Sequence, residues 1–166
     1  MHAKEEVDEH LNVKDDMQAA NVTRERTQPM QGEAKTSRRH ILLVEDDTSL
    51  ARLESGILTA HGYTVTRVES GELALNALHE TILDLVLLDL DLPGAVNGWD
   101  VLRALRAHTD TSLTPVLLTS SEATVHKRLR TRGETRSTLD HLPKPYPIQT
   151  LLKRIERMLG MTPEGL

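Results

Sequence analysis

Four consecutive apolar residues, Leu85-Val86-Leu87-Leu88, run without a break into Asp89. A run with no polar alternation reads as a strand covered on both faces, as parallel strands in α/β folds are. Asp89 then stands at the strand's carboxyl end, where open α/β sheets carry their chemistry. A second run, Ile41-Leu42-Leu43-Val44, ends in Glu45-Asp46-Asp47, and a third, Pro115-Val116-Leu117-Leu118, ends in Thr119. A fourth segment, Leu142-Pro143, leads into Lys144-Pro145. If these strands are neighbours, their acids, hydroxyl and lysine form one site.

The alternation between such runs predicts the architecture. Strands are expected at about 41–44, 63–68, 84–89, 115–119 and 139–142. Helices are expected at about 48–61, 70–79, 99–108, somewhere within 121–137, and from Pro147 to Leu159. Asp47 and Ser70 suit helix N-caps, and Gly62 suits a helix stop. The first helix is read with Leu50, Leu53, Ile57 and Leu58 inward, the second with Leu73, Ala74, Ala77 and Leu78 inward. In the third, Val101, Leu102 and Leu105 are expected to be buried, with Trp99 packing. The last buries Ile148, Leu151, Leu152, Ile155 and Leu159. Pro143 confines the last strand to a sheet edge. Right-handed crossovers then give a five-stranded parallel sheet with helices on both faces.

Residues 1–39 differ: acids and bases interleave, and apolar residues are sparse. Such a segment cannot bury enough surface to offset its ordering entropy, so a disordered polar tail is expected there. The domain is expected over 40–160, with a short tail at 161–166. The trio Arg38-Arg39-His40 reads as a solvated edge, and the basic run 127–136 as a solvated helix face.

The bulk numbers exclude several classes. With no Cys, a disulfide framework or thiolate metal site is ruled out. The formal charge of −5 argues against direct nucleic-acid binding by the whole chain. No apolar run reaches the roughly 18 residues of a membrane span, and the acidic start is unlike a secretory signal. A cytoplasmic protein is the expectation.

Three clustered carboxylates repel one another, and a divalent cation relieves that repulsion. Glu45, Asp46 and Asp89 offer the oxygen ligands Mg²⁺ prefers. A carboxylate nucleophile facing a phosphoryl group forms an acyl phosphate. The Lys144 ammonium and the Thr119 hydroxyl suit the equatorial oxygens. Taken singly, each residue has a bland reading: Asp89 a surface acid, Glu45-Asp46-Asp47 a helix N-terminal cluster, Thr119 a strand-end hydroxyl, Lys144 a solvated lysine.

Ile-Leu-Leu-Val-Glu-Asp-Asp at 41–47, Leu-Leu-Asp-Leu-Asp-Leu-Pro at 87–93, Leu-Leu-Thr-Ser at 117–120 and Pro-Lys-Pro-Tyr at 143–146 resemble the receiver domain of bacterial two-component response regulators. The resemblance covers about 40–160. It implies the flavodoxin-like, CheY-like sheet in the order 2-1-3-4-5. It implies that Asp89 accepts a phosphoryl group from a phosphohistidine of a sensor histidine kinase or phosphotransfer protein. It further implies that Glu45, Asp46, Asp89 and the Asp91 backbone carbonyl hold Mg²⁺, with Thr119 and Lys144 at the phosphoryl group. A cis bond between Lys144 and Pro145 is also implied. His141 stands where the family usually carries an aromatic switch residue paired with Thr119, so the switch is expected to differ here. Asp91 is otherwise expected to face solvent.

A stand-alone receiver follows from this reading: a monomer or weak homodimer, outside the membrane, acting through an unidentified protein target. Catalysis would then be limited to the chain's own phosphorylation and dephosphorylation. Two alternatives stay open. Asp89-Leu90-Asp91 also fits the strand-end motif of haloacid-dehalogenase-type phosphatases. A pseudo-receiver scaffold that is never phosphorylated is the other.

Overall fold

The computed structural model describes residues 38–121, 125, 129 and 138–160. The expected tails and most of the 121–137 segment lie outside them. In chain order the elements are β1 (His40–Val44), α1 (Thr48–Ala60), β2 (Thr64–Val68), α2 (Gly71–Glu80), β3 (Leu85–Asp89), α3 (Gly98–Ala107), β4 (Val116–Ser120), β5 (Leu139–Pro143) and α4 (Ile148–Met158). The strands form one sheet in the order β2-β1-β3-β4-β5, and every pair is parallel. The partly polar β2 and the proline-bearing β5 occupy the two edges, where an incomplete ladder costs least.

Each central strand is buried on both faces, and its alternate side chains feed two apolar layers. Leu42, Val44, Val86, Leu88, Val116 and Leu118 face α2 and α3, whose Ala74, Leu78, Val101, Leu102 and Leu105 complete that layer. Val125 is buried in the same layer and Leu129 packs against it. Ile41, Leu43, Leu85, Leu87 and Leu117 face α1 and α4 through Ala51, Leu58, Leu151, Ile155 and Met158.

The helix starts follow local chemistry. Asp47 caps α1 by accepting from the Ser49 and Leu50 amides, and Ser70 caps α2 through the Leu73 amide. Asn97 begins α3 in a reciprocal capping box with Asp100. Gly62, at φ +88°, supplies the left-handed turn that ends the α1 segment.

Two inward assignments need correction. Leu53 of α1 is 57% exposed and Leu73 of α2 is 44% exposed. The buried stripes instead run through Ala51, Glu54 and Leu58, and through Gly71, Ala74 and Leu78. Each is an i, i+3, i+7 stripe that places small residues where the helix approaches the sheet. The basic trio is also more than a solvated edge. Arg39 pairs with Asp84 at 2.6 Å, the His40 amide donates to the same carboxylate, and the His40 ring meets the Thr66 hydroxyl at 2.8 Å.

Candidate functional site

The ladder register brings the acids together. Val44 pairs with Leu88, so β1 and β3 reach the sheet's carboxyl rim at the same level. Glu45 and Asp46 leave β1 beside Asp89, and the three residues each present a carboxylate oxygen within 4.8 Å of the others. Glu45 and Asp89 are buried while Asp46 is exposed. Two shielded carboxylates with a third open to solvent are a donor set suited to a hard divalent cation that keeps part of its water shell.

Thr119 pairs directly with Asp89 across β3 and β4 and is buried. Lys144 arrives from the far side of β4, where its amide donates to the Ser120 carbonyl at 2.8 Å. The Lys144–Pro145 bond is cis. The Lys144 ammonium lies 2.6 Å from Asp89 Oδ2 and 2.8 Å from Glu45 Oε2. All five strand-end residues thus converge on one rim.

The electrostatics are those of a cluster held together by one cation. Burial alone would lower the Lys144 pKa, but its bonds to Asp89 and Glu45 outweigh this and raise it. Burial pushes the Glu45 carboxyl up; the Lys144 bond opposes this, and the Asp89 charge adds to it. The Lys144 ammonium does not fully repay the desolvation of Glu45.

Asp91 occupies the exposed side of the rim, but its carboxylate is engaged. Its amide donates to Asp89 Oδ1 at 2.9 Å. Its side chain accepts from the Ser121 amide at 2.8 Å, the Ser121 hydroxyl at 2.7 Å and the Ser120 hydroxyl at 3.2 Å. Partial burial pushes its pKa up, but these donors together hold it below the usual value. His141 lies inside β5 opposite Leu118, 2% exposed and on the strand face it shares with Leu139.

Gly98 sets the depth of the rim. A Cβ there would meet the Asp89 carbonyl oxygen at 2.3 Å and Leu90 Cα at 2.6 Å, so only glycine lets α3 start this close to β3. Beneath the site lies an element that strand-end reasoning misses. Glu54 is 1% exposed, and Tyr146 donates to its Oε1 at 2.5 Å. The available signal was its position three residues after Ala51 and four before Leu58, the two buried small and apolar positions of α1.

A family model described as the response regulator receiver domain matches residues 41–156. The DNA-binding response regulator MtrA of Mycobacterium tuberculosis H37Rv is 40% identical over 124 residues, covering 75% of this chain and 52% of that protein. The transcriptional regulatory protein YkoG of Bacillus subtilis is 40% identical over 120 residues, covering 72% of this chain and 50% of that protein. The chain thus spans about half the length of the curated relatives it matches. Among solved structures, the receiver domain of sensor histidine kinase PA1611 from Pseudomonas aeruginosa PAO1 superposes with a TM-score of 0.64 at 27% identity, covering 75% of this chain and 99% of that one. That structure carries a magnesium ion coordinated in its active site cleft. A response regulator from Chloroflexus aurantiacus gives a TM-score of 0.65 at 28% identity, covering 74% of this chain and 98% of that one.

Proposed function

This chain belongs to the response regulator receiver domain family, and from that membership we propose that Asp89 is a phosphoacceptor that takes a phosphoryl group from a phosphohistidine on a sensor histidine kinase or phosphotransfer protein. The observation that carries the reading is the convergence of Lys144 and Glu45 on the buried Asp89 carboxylate, at 2.6 and 2.8 Å from the ammonium. One Asp89 oxygen attacks phosphorus while the P–N bond breaks and its electrons return to the imidazole. The product is an aspartyl phosphate. Asp89 enters the step already ordered, because the Asp91 amide holds Oδ1. Lys144 is positioned to leave the carboxylates and meet the oxygens of the incoming group, and the Thr119 hydroxyl stands beside it.

Glu45, Asp46, Asp89 and the Asp91 backbone carbonyl are the groups that hold Mg²⁺. When bound, the ion supplies the positive charge that lets phosphoryl oxygens approach three carboxylates. The phosphorylated state is read as a population shift that alters protein contacts, with Thr119 and His141 as the residues that respond. The outgoing partner is a protein target, and a cytoplasmic location goes with this chemistry.

The phosphatase alternative needs Asp91 as a protonated general acid. Its low pKa and its three donors from Ser120 and Ser121 favour the ionised form instead. The deciding experiment is incubation with Mg²⁺ and acetyl phosphate, followed by intact mass. A single phosphoryl adduct that Asp89→Asn abolishes is the expected result. No adduct on the wild-type chain leaves the pseudo-receiver reading. Turnover of small phosphate esters that depends on Asp91 favours the phosphatase.

A further inference from the structure

The Glu54–Tyr146 pair lies outside the strand-end chemistry, yet it touches the site from below. Glu54 sits on the sheet-facing stripe of α1 between Ala51 and Leu58, both members of the apolar layer that Tyr146 also packs against. Its Oε1 accepts from the Tyr146 hydroxyl at 2.5 Å, and its buried Oε2 has no hydrogen-bond partner among the described residues. A carboxylate with an unpartnered oxygen in an apolar layer is costly, whereas a neutral acid there is tolerable. Tyr146 follows Lys144 by two residues. The bond therefore joins α1 to the segment that carries Lys144 to the rim.

We propose that Glu54 and Tyr146 are positioning residues for the phosphoacceptor site: their hydrogen bond ties α1 to the segment carrying Lys144, and the charge on Glu54 sets how readily Lys144 meets an incoming phosphoryl group. The proposal rests on Asp89 being the phosphoacceptor. The groups that act on Glu54 are Tyr146 directly, and Glu45 beyond β1, Asp89 at the end of β3 and Lys144 past β5 through their charges. Burial raises the Glu54 pKa to about 7; the Tyr146 bond opposes this and the Glu45 charge adds to it. A proton lost there adds a further negative charge beneath Glu45 and Asp89. It draws Lys144 inward and repels an incoming phosphoryl group.

The test uses the full chain with Mg²⁺ and acetyl phosphate, following the Asp89 adduct by intact mass between about pH 6 and 8. The wild-type rate should fall about fivefold across that window, as expected for one screened buried charge. Glu54→Gln keeps the acceptor for Tyr146 without the charge. It should show a flat profile and exceed the wild type at the alkaline end. Tyr146→Phe should be slow throughout. A Glu54→Gln profile that parallels the wild type overturns the proposal. If the wild type forms no adduct, the phosphoacceptor reading fails on its own, and the clasp is judged by NMR of the resting protein. The Tyr146 ring resonances should then titrate with a midpoint near 7 in the wild type and not in Glu54→Gln; the same titration in both, or none in either, overturns it.

Discussion

The Lys144 ammonium stands 2.6 Å from Asp89 Oδ2, and both ends of this bond lie at the carboxyl rim of a sheet in which β4 separates their strands. The bond compensates a carboxylate that is only 3% exposed. Removing the cation should therefore do more than remove a contact. Lys144→Met should lower unfolding stability by about 3 kcal/mol in metal-free buffer, because it leaves two buried carboxylates without a counter-charge. Urea denaturation in chelator measures this.

Magnesium should substitute for part of that compensation. At about a hundred times its dissociation constant the ion should stabilise the wild-type chain by roughly 2.7 kcal/mol. The gain should vanish in Asp46→Asn and Asp89→Asn and persist in Ser121→Ala, whose hydroxyl bonds only the Asp91 side chain among the contacts described above. Thermal melts with and without the ion distinguish the variants.

Gly98→Ala tests the closeness of α3 to β3. The added methyl meets backbone rather than a flexible side chain, at 2.3 Å from the Asp89 carbonyl oxygen. The backbone has to shift, at a cost of about 2 kcal/mol. Because the shift falls on Asp89 itself, magnesium affinity should fall along with the melting temperature.

The buried acid makes a signed prediction about pH. The folded Glu54 pKa, about 7, lies above its ordinary 4.5, so the folded state holds this proton more tightly than the unfolded state. Its contribution is therefore neutral below about pH 4.5 and becomes a growing penalty as pH rises toward 7. Above that it reaches roughly 3.5 kcal/mol, at about 1.4 kcal/mol per pKa unit. Glu54→Gln should remove the slope, so the stability difference between variant and wild type should widen between about pH 5 and 8.

Replacing the pair together is the complementary measurement. Glu54→Leu with Tyr146→Phe removes both polar partners and should raise stability near neutral pH by about 1–3 kcal/mol. Glu54→Leu alone takes away the partner of the half-buried Tyr146 hydroxyl and should gain less. A double-mutant cycle by urea denaturation separates the two.

Much of this molecule can be read along the chain because the chemistry sits where apolar runs stop. Asp89, Glu45 and Thr119 each follow uninterrupted branched aliphatics, and a parallel sheet turns those breaks into one rim. Lys144 was legible because Pro143 and Pro145 bracket it. Leu53 and Leu73 were read as inward and Glu54 was passed over for one reason. On a helix the hydropathy of one residue competes with its angular position, and here angle won: Leu53 lies beside the buried stripe and Glu54 within it. Met158 was missed in the same way, one position before the apolar Leu159. The Asp91 clasp by Ser120 and Ser121 depends on loop conformation across two strands, which no local pattern encodes.

The register Val44↔Leu88 has one more implication. Adjacent strands sit about 4.8 Å apart whatever their side chains are. The gauge of the acidic bite is thus inherited from the peptide backbone, which point substitutions along β1 and β3 leave in place. Such changes can retune how tightly an ion is gripped, but they cannot make the jaws wider or narrower. Only a slip of one strand past the other would do that.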